Sequence, residues 1–298
     1  MQDRSLVDEL KFQFKNGGMH IRLIFINALF FLIIVLLGLI GKMSQNALEF
    51  DYFRTLIFSL HTDLSILKYT PYGFLTSIFS HFSFLHFLFN MVFLYFVGNL
   101  FRQFFSDRRL LHVYIWGGFF GGLLEVIAHV FTGGSSNVVG ASGSIMAIFI
   151  AMAFYKPNLQ VQLFGIFPVK LYLIALIYVI SDFAQLSQFD GVAHFAHLGG
   201  AFLGFLSVQN LYSSRNIINW SETMQQKLAT SFSDWGKKKT KFKVEKGGSR
   251  VPKSDEAYNM EAKERQQKID KILDKISKSG YESLTKAEKD FLFSQSNK

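Results

Sequence analysis

The sequence has no cysteine among its 298 residues. This absence excludes a disulfide framework, a thiolate metal site and a thiol nucleophile. The His-Glu-x-x-His pattern of zinc proteases is absent as well, which argues against a metal centre of that kind. Charge is scarce in the long apolar stretches: the formal net charge is +9, and most of the lysines follow Leu211.

Apolar residues dominate the rest of the chain, with 50% hydrophobic residues and 35 phenylalanines. They occur in blocks of about 20, the length that an α-helix needs to cross roughly 30 Å of hydrocarbon. The sequence therefore predicts an all-α, polytopic membrane protein that forms a bundle of six transmembrane helices. The predicted spans 1 to 6 are residues 23–41, 82–101, 110–132, 140–155, 171–188 and 191–211.

The positive charges predict the orientation of this bundle. Lys and Arg occur in residues 1–22, in the connections after spans 2 and 4 and in the tail, but not in the connections after spans 3 and 5. Because basic connections favour the cytoplasm, we expect a multi-pass protein of the cell (inner) membrane with both termini cytoplasmic. The predicted parts are an N-terminal arm (1–22), a six-span domain (23–211) and a basic tail (212–298). Span 1 has no cleavage site after it and is interpreted as a retained anchor.

Four polar side chains are predicted to lie at one depth of the bundle. His86 and Asn90 belong to the first turns of span 2, Ser142 to the first turn of span 4 and His197 to the second turn of span 6. At 1.5 Å per residue, all four lie within roughly 10–15 Å of the outer boundary. A histidine beside a serine is an activated nucleophile, so Ser142 and His197 are candidate catalytic residues. The alternatives are a helix-capping serine and a histidine that is hydrogen-bonded to a carbonyl.

Two stripes of small residues predict that spans 4 and 6 touch, because such stripes let membrane helices approach backbone to backbone. The stripes are Gly143, Ala147 and Ala151 in span 4, and Ala196, Gly200 and Gly204 in span 6. This contact would bring Ser142 and His197 to the same end of one helix pair.

His86 and Asn90 are four residues apart and share one face of span 2. One interpretation makes them donors to an oxyanion, together with the backbone N–H groups of Ala141 and Ser142 at the start of span 4. The other interpretation makes them hydrogen-bonding groups that hold helices together.

The remaining polar groups of the spans carry weaker signals. His81 and His194, with His86 and His197, raise the alternative of a metal site. No carboxylate accompanies them at ligand spacing, so we expect no metal and no cofactor. Two carboxyl groups, Glu125 in span 3 and Asp182 in span 5, are interpreted as hydrogen-bonded structural groups without an identified partner.

Over roughly residues 20–211 the chain resembles the rhomboid intramembrane serine proteases. The matching motifs are His81-x4-His86-x3-Asn90-Met91, Gly140-Ala141-Ser142-Gly143 and Ala196-His197-Leu198-Gly199-Gly200-x3-Gly204. The resemblance implies that Ser142 is the nucleophile and His197 its base, in a dyad without an aspartate, and that His86 and Asn90 help to bind the oxyanion. The chain departs from the family pattern at Tyr72-Gly73, where the family often has Trp-Arg, at Arg102 instead of a glutamate, and at Met146 instead of an aromatic that packs on the histidine.

We therefore expect an intramembrane serine endopeptidase that cleaves transmembrane or juxtamembrane segments of membrane protein substrates. The alternative is a non-catalytic rhomboid-like membrane protein that binds or escorts client transmembrane helices. A transporter is disfavoured because the sequence shows neither inverted repeats nor broken mid-span helices.

The tail carries amphipathic patterns. Trp220, Met224, Leu228, Phe232 and Trp235 recur at helical spacing before a basic run, Lys237-Lys238-Lys239 with Lys241 and Lys243. This pattern predicts a helix on the anionic inner lipid surface, with a solvated linker as the alternative. A flexible connection over 244–255, a helix that ends at Gly280 and a capping box of Thr285 and Glu288 are predicted to follow. We expect no nucleic-acid partner, because Asp and Glu are interspersed.

Overall fold

The computed structural model describes residues 5–163, 165–186, 191–234 and 268–296. It consists of helices with two short β-ladders, so the prediction of an all-α, polytopic membrane bundle is confirmed. The chain divides into two compact units, Met1–Lys237 and Lys238–Lys298. The helices are α1 (Leu6–Asn16), α2 (Met19–Met43), α3 (Ala47–Phe58), α4 (Leu64–Leu67), α5 (Gly73–Thr76), α6 (Phe84–Arg102), α7 (Asp107–Thr132), α8 (Ser142–Tyr155), α9 (Leu171–Ala184), α10 (His194–Val208), α11 (Ile217–Asp234), α12 (268–279) and α13 (Lys286–Ser296).

The six predicted spans correspond to α2 and α6 to α10. By length and composition, α2, α6 and α7 are long and apolar enough to cross a membrane. The other three are apolar but have only 14, 14 and 15 residues, which rise about 21–23 Å instead of roughly 30 Å. The ends of α9 and α10 differ from the prediction, because both helices are shorter than the apolar sequence around them. For α8 the short length is accommodated by burial within protein, since residues 143–153 are all buried.

The predicted contact between spans 4 and 6 is present as the packing of α8 on α10. A β-carbon at Gly200 would be much closer than van der Waals contact to the carbonyl oxygen of Gly143, and one at Gly204 would be equally too close to that of Ala147. A β-carbon at Gly143 would lie 3.0 Å from the carbonyl oxygen of Ala196. The two backbones therefore touch because neither helix places a larger side chain between them.

The long connection between α2 and α6 contains elements that the sequence analysis did not predict. Besides α3 to α5, it includes strand β1 (Leu60–His61), which pairs antiparallel with β2 (Asn137–Val138) in the connection that leads to α8. A 3₁₀ turn over Ser77–Phe79 follows, and the carbonyl of Ser77 accepts a hydrogen bond of 2.9 Å from the N–H of Gly140. The connections that lead to α6 and α8 thus fix the chain just before Ser142. On the other side, β3 (Gln160–Leu163) and β4 (Phe167–Lys170) form a hairpin between α8 and α9.

Helix α11 belongs to the first unit, although the sequence analysis assigned it to the tail after residue 211. Its buried side carries polar groups: the Ser221 hydroxyl lies 2.7 Å from Nδ1 of His112, and the Arg109 guanidinium donates to Asn219 at 2.8 Å. The first compact unit therefore includes α11 and ends at Lys237. Trp235, the lysines at 237–239, 241 and 243, and the predicted connection 244–255 lie outside the described residues.

In the second unit, the predicted end of α12 and the capping box are confirmed. Gly280 follows α12 with a φ of +75°, which favours glycine. The N–H of Thr285 donates to Glu288 at 2.7 Å, and the N–H of Glu288 donates to the Thr285 hydroxyl at 3.4 Å. The Lys275 ammonium and the N–H of Thr285 lower the pKa of Glu288 to about 2.

Candidate active site

Ser142 is the first residue of α8, and the turn before it requires glycine for two reasons. Gly140 has a φ of +125°, a backbone conformation that other residues rarely adopt. A β-carbon there would also lie 2.8 Å from Cε1 of His86 and 3.8 Å from Oγ of Ser142. The backbone of Gly140 thus lies directly against the His86 ring, and the serine hydroxyl is next to it.

The four predicted polar side chains line one cavity. His86 and Asn90 come from α6, Ser142 from α8 and His197 from α10, and the cavity encloses about 1140 Å³. No hydrogen bond joins Oγ of Ser142 to His197 in the structure. Catalytic hydrogen bonds are often long or poorly aligned before substrate binds, so the shared cavity is the relevant observation.

His197 is oriented by a carboxylate that the sequence analysis did not assign to the site. Its Nδ1 lies 3.0 Å from Oδ1 of Asp182, and Nδ1 of His194 lies 2.7 Å from the same oxygen. All three side chains are buried. Because Nδ1 of His197 is directed at α9, Nε2 is on the edge of the ring that faces away from Asp182.

The structure corrects two statements about Asp182. It has partners, two histidines of α10, and a carboxylate does accompany the histidines at ligand distance. Oxygen and nitrogen atoms of Asp182, His194 and His197 lie within 4.8 Å of one another, a spacing that a metal ion could also use. Sequence spacing conceals this cluster, because Asp182 precedes the histidines by 12 and 15 residues on another helix. The available signal was the carboxyl group itself, since an ionisable residue in an apolar helix needs a partner.

Asn90, one of the two candidate oxyanion donors on α6, already uses part of its hydrogen-bonding capacity. One N–H of the Asn90 amide donates to the carbonyl of His86 at 2.8 Å, within the same helix. The amide has a second N–H, and Asn90 lines the cavity. A bond within α6 does not support the interpretation of Asn90 as a link between helices.

Ala141 does not have the geometry that the sequence analysis expected. Its N–H is directed at Nε2 of His81, at 3.4 Å, and the residue is 0% exposed. This N–H supports the turn and does not point into the cavity, so the oxyanion assignment of Ala141 is corrected. Ser142, as the first residue of α8, has an N–H without an intrahelical acceptor. His81 also lies edge-on to His86, with ring centroids 5.1 Å apart.

Glu125 has the hydrogen-bonded structural position that was expected. Its Oε2 accepts from the N–H of Ala196 at 2.9 Å, one of the N–H groups that the first turn of a helix leaves without a partner. A carboxyl group at this end of a helix is favourable. Glu125 thus connects α7 to the turn of α10 that carries His197.

The aromatic neighbour of His197 comes from a helix that the sequence analysis did not consider. At Met146, where the resemblance led us to look for an aromatic residue, the side chain is aliphatic and buried. Tyr178 of α9 instead places its ring centroid 6.2 Å from that of His197. Both residues line the cavity.

The fold and the site together define the class of protein. It is a polytopic helical membrane protein in which a serine, histidines and an amide surround one internal cavity. Residues 68–213 match the family model of the Rhomboid domain, and residues 253–298 match a family of unknown function, DUF6576. Residues 68–213 of the chain are therefore a Rhomboid domain.

Among known proteins, RHOMBOID-like protein 12, mitochondrial, of Arabidopsis thaliana is similar to this chain. The two are 26% identical over 156 residues, which are 47% of this chain and 46% of that protein. The match thus spans slightly less than half of the relative.

Proposed function

We propose that the protein is an intramembrane serine endopeptidase with Ser142 as nucleophile and His197 as general base. One observation carries this proposal: Ser142, His197, His86 and Asn90, from three helices, line the same cavity. Substrates would be transmembrane or juxtamembrane segments of other membrane proteins, because the cavity lies within a bundle of apolar helices. The alternative of a non-catalytic binder of client helices requires no such convergence.

The reaction follows from the groups around the cavity. Nε2 of His197 takes the proton of Ser142 as its oxygen attacks the carbonyl carbon of the scissile bond. The oxyanion forms beside the His86 ring, the second N–H of Asn90 and the free N–H of Ser142, which act as donors. His197 then gives its proton to the leaving amine, and a water that enters through the cavity hydrolyses the acyl-enzyme. No cofactor takes part in these steps.

The test is covalent labelling of the purified protein by a fluorophosphonate, together with cleavage of a helical membrane substrate. Ser142→Ala should abolish both while its melting temperature stays unchanged. Ser144→Ala is the matched control, because Ser144 is a buried serine of the same helix, and it should retain both activities. Cleavage by Ser142→Ala would refute the mechanism. A folded wild type that neither reacts nor cleaves would favour the non-catalytic alternative.

We also propose that the protein lies in the inner membrane with both termini cytoplasmic. The absence of cysteine allows a direct test with single cysteines at two exposed positions, Ser135 before α8 and Ser214 after α10. In intact cells an impermeant thiol reagent should label Ser135→Cys and spare Ser214→Cys. Labelling of Ser214→Cys but not of Ser135→Cys would show that the topology is the reverse of the one proposed.

The solvent-exposed face of α11 supports the proposed contact of the tail with anionic lipid. Trp220, Met224 and Leu228 are exposed, whereas the opposite side of the helix is bonded to α7. The double substitution Met224→Ser, Leu228→Ser retains Trp220 and should weaken the quenching of Trp220 fluorescence by brominated anionic lipid in nanodiscs. Unchanged quenching in Met224→Ser, Leu228→Ser would favour a solvated surface.

A further inference from the structure

The cluster of Asp182, His194 and His197 at the ends of α9 and α10 is not explained by a serine and histidine alone. Asp182 is 3% exposed and lies in the last turn of a helix that is otherwise apolar except for Ser181. A buried carboxylate is costly unless its oxygens are hydrogen-bonded. Here one oxygen, Oδ1, receives both histidines, and Oδ2 has no hydrogen-bond partner among the described residues.

The geometry determines which nitrogen of His197 carries the proton. An ionised carboxylate only accepts hydrogen bonds, so the bond of 3.0 Å to Oδ1 requires a proton on Nδ1 of His197. A neutral imidazole has one protonated nitrogen, and the lone pair is therefore on Nε2. This is the tautomer that can accept a proton from a serine hydroxyl. Without the carboxylate, the tautomer with the proton on Nε2 would compete, and it cannot act as the base.

We propose that Asp182 is a positioning residue for His197, so that the site is a Ser142–His197–Asp182 triad. Asp182 fixes the tautomer and the ring orientation of His197, and its charge stabilises the imidazolium that forms when the serine proton is transferred. The carboxylate stays ionised throughout, and the proton moves only between Ser142, His197 and the leaving amine. This inference rests on the proposed function, and it differs from the dyad without an aspartate that the resemblance implied.

His194 distinguishes this site from a simple chain of three groups. It shares Oδ1 of Asp182 with His197 and comes closer to it, at 2.7 Å. The second histidine holds the carboxylate in place from the first turn of α10, so that the acceptor for His197 does not depend on α9 alone. His194 acts on the carboxylate and not on the substrate.

The first test is Asp182→Asn, which keeps the size and an oxygen acceptor but removes the charge. We expect kcat to fall about 10²-fold or more with KM nearly unchanged, because the loss concerns proton transfer and not binding. Asp182→Glu, which restores a carboxylate, should recover part of kcat.

The matched control is Ser181→Ala, which removes the polar side chain next to Asp182 on α9. Ser181 is exposed and bonds to Gln185, so this variant should keep kcat within about threefold. His194→Gln removes the second hydrogen bond to Oδ1 of Asp182 and should lower kcat less than Asp182→Asn does, because the carboxylate remains.

If Asp182 were only structural, Asp182→Asn would lose stability and activity together and Asp182→Glu would not recover kcat, and that result would overturn the proposal. A second measurement does not depend on activity or on the folding of a variant. In wild-type protein labelled with ¹⁵N-histidine, the spectra should show the His197 proton on Nδ1, and a proton on Nε2 would also overturn the proposal.

The proposed function and the triad can be refuted separately. A folded but inactive wild type refutes the proposed function, whereas an active wild type with a fully active Asp182→Asn refutes only the triad.

The spacing of ligand atoms in the cluster also fits a metal ion, and the same samples test this alternative. Zinc would replace the proton on Nδ1 of each histidine, which the direct hydrogen bonds to Oδ1 do not favour. The triad predicts that activity survives chelators and that the purified protein lacks stoichiometric metal. Metal that copurifies at one equivalent and is lost in His194→Gln would overturn the triad.

Discussion

Helices α8 and α9 have the same length, 14 residues, and are both apolar, but α8 is almost completely buried and α9 is mostly not. In α8, every residue from Gly143 to Ala153 is buried. In α9, the buried residues are Leu171, Ala175 and Asp182. The candidate nucleophile is therefore on the most enclosed helix of the bundle, and the carboxylate partner of its base is on a peripheral one.

The difference arises from side-chain size. The face that α8 turns to α10 consists of glycine and alanine, so that the two backbones touch. The sequence of α9 between Leu171 and Asp182 is mostly bulky, and bulky side chains hold helices apart. An apolar groove of about 1020 Å³ separates α9 from α7 and α10, with Leu176 and Val179 on one wall and Phe120 and Phe202 on the other. Asp182 thus contributes polar contacts at one end of a helix that is loosely packed along its length.

The largest expected effect comes from filling the contact between α8 and α10. Gly200→Val should destabilise the protein by about 3 kcal/mol or more, because the new side chain meets the backbone of Gly143, which cannot rotate away. This corresponds to a fall in melting temperature of roughly 6–12 °C, with loss of activity. Phe202→Val is the control, since Phe202 is exposed on the same helix. An unchanged melting temperature for Gly200→Val would show that α8 and α10 are not in backbone contact.

A matched pair of substitutions measures the difference between α8 and α9 directly. Ile148 is 0% exposed on α8, and Ile177 is 68% exposed on α9. Ile148→Ala should cost about 2 kcal/mol from the cavity it leaves, the low end of the usual range because lipid is itself apolar. Ile177→Ala should stay within about 0.5 kcal/mol. Equal losses in unfolding experiments in detergent would mean that α9 is as tightly packed as α8.

The same two helices show what the sequence could predict. The small-residue stripe of α8 is a local pattern with helical spacing, so its contact with α10 and the convergence of Ser142 and His197 could be inferred. Helix α9 is apolar except for Ser181 and Asp182, so Asp182 is the one indication of which face is directed at the bundle. Its sequence does not indicate which residues of α10 that face meets, and the bonds of Asp182 were therefore missed.

The contact of α11 with α7 was not predicted for a related reason. This contact uses polar groups such as His112 and Ser221, whereas the hydrophobic pattern draws attention to the exposed side with Trp220 and Met224. The elements α3 to α5 and the pairing of β1 with β2 are short and stabilised by contacts distant in sequence, which a local pattern does not reveal.

The smallest expected effect concerns the other residue that α9 contributes to the site, Tyr178. Its ring lies beside that of His197, with centroids 6.2 Å apart and planes inclined by 58°. Such aromatic contacts contribute about 0.5–1.5 kcal/mol, so Tyr178→Leu should lower kcat about twofold to tenfold, since 1.36 kcal/mol is a factor of ten. Tyr178→Phe keeps the ring and should behave like wild type.

Tyr172→Leu, on the same helix but in the apolar groove, controls for a general loosening of α9. If Tyr172→Leu lowers kcat as much as Tyr178→Leu, the effect of α9 on His197 comes from the packing of the whole helix and not from the ring of Tyr178.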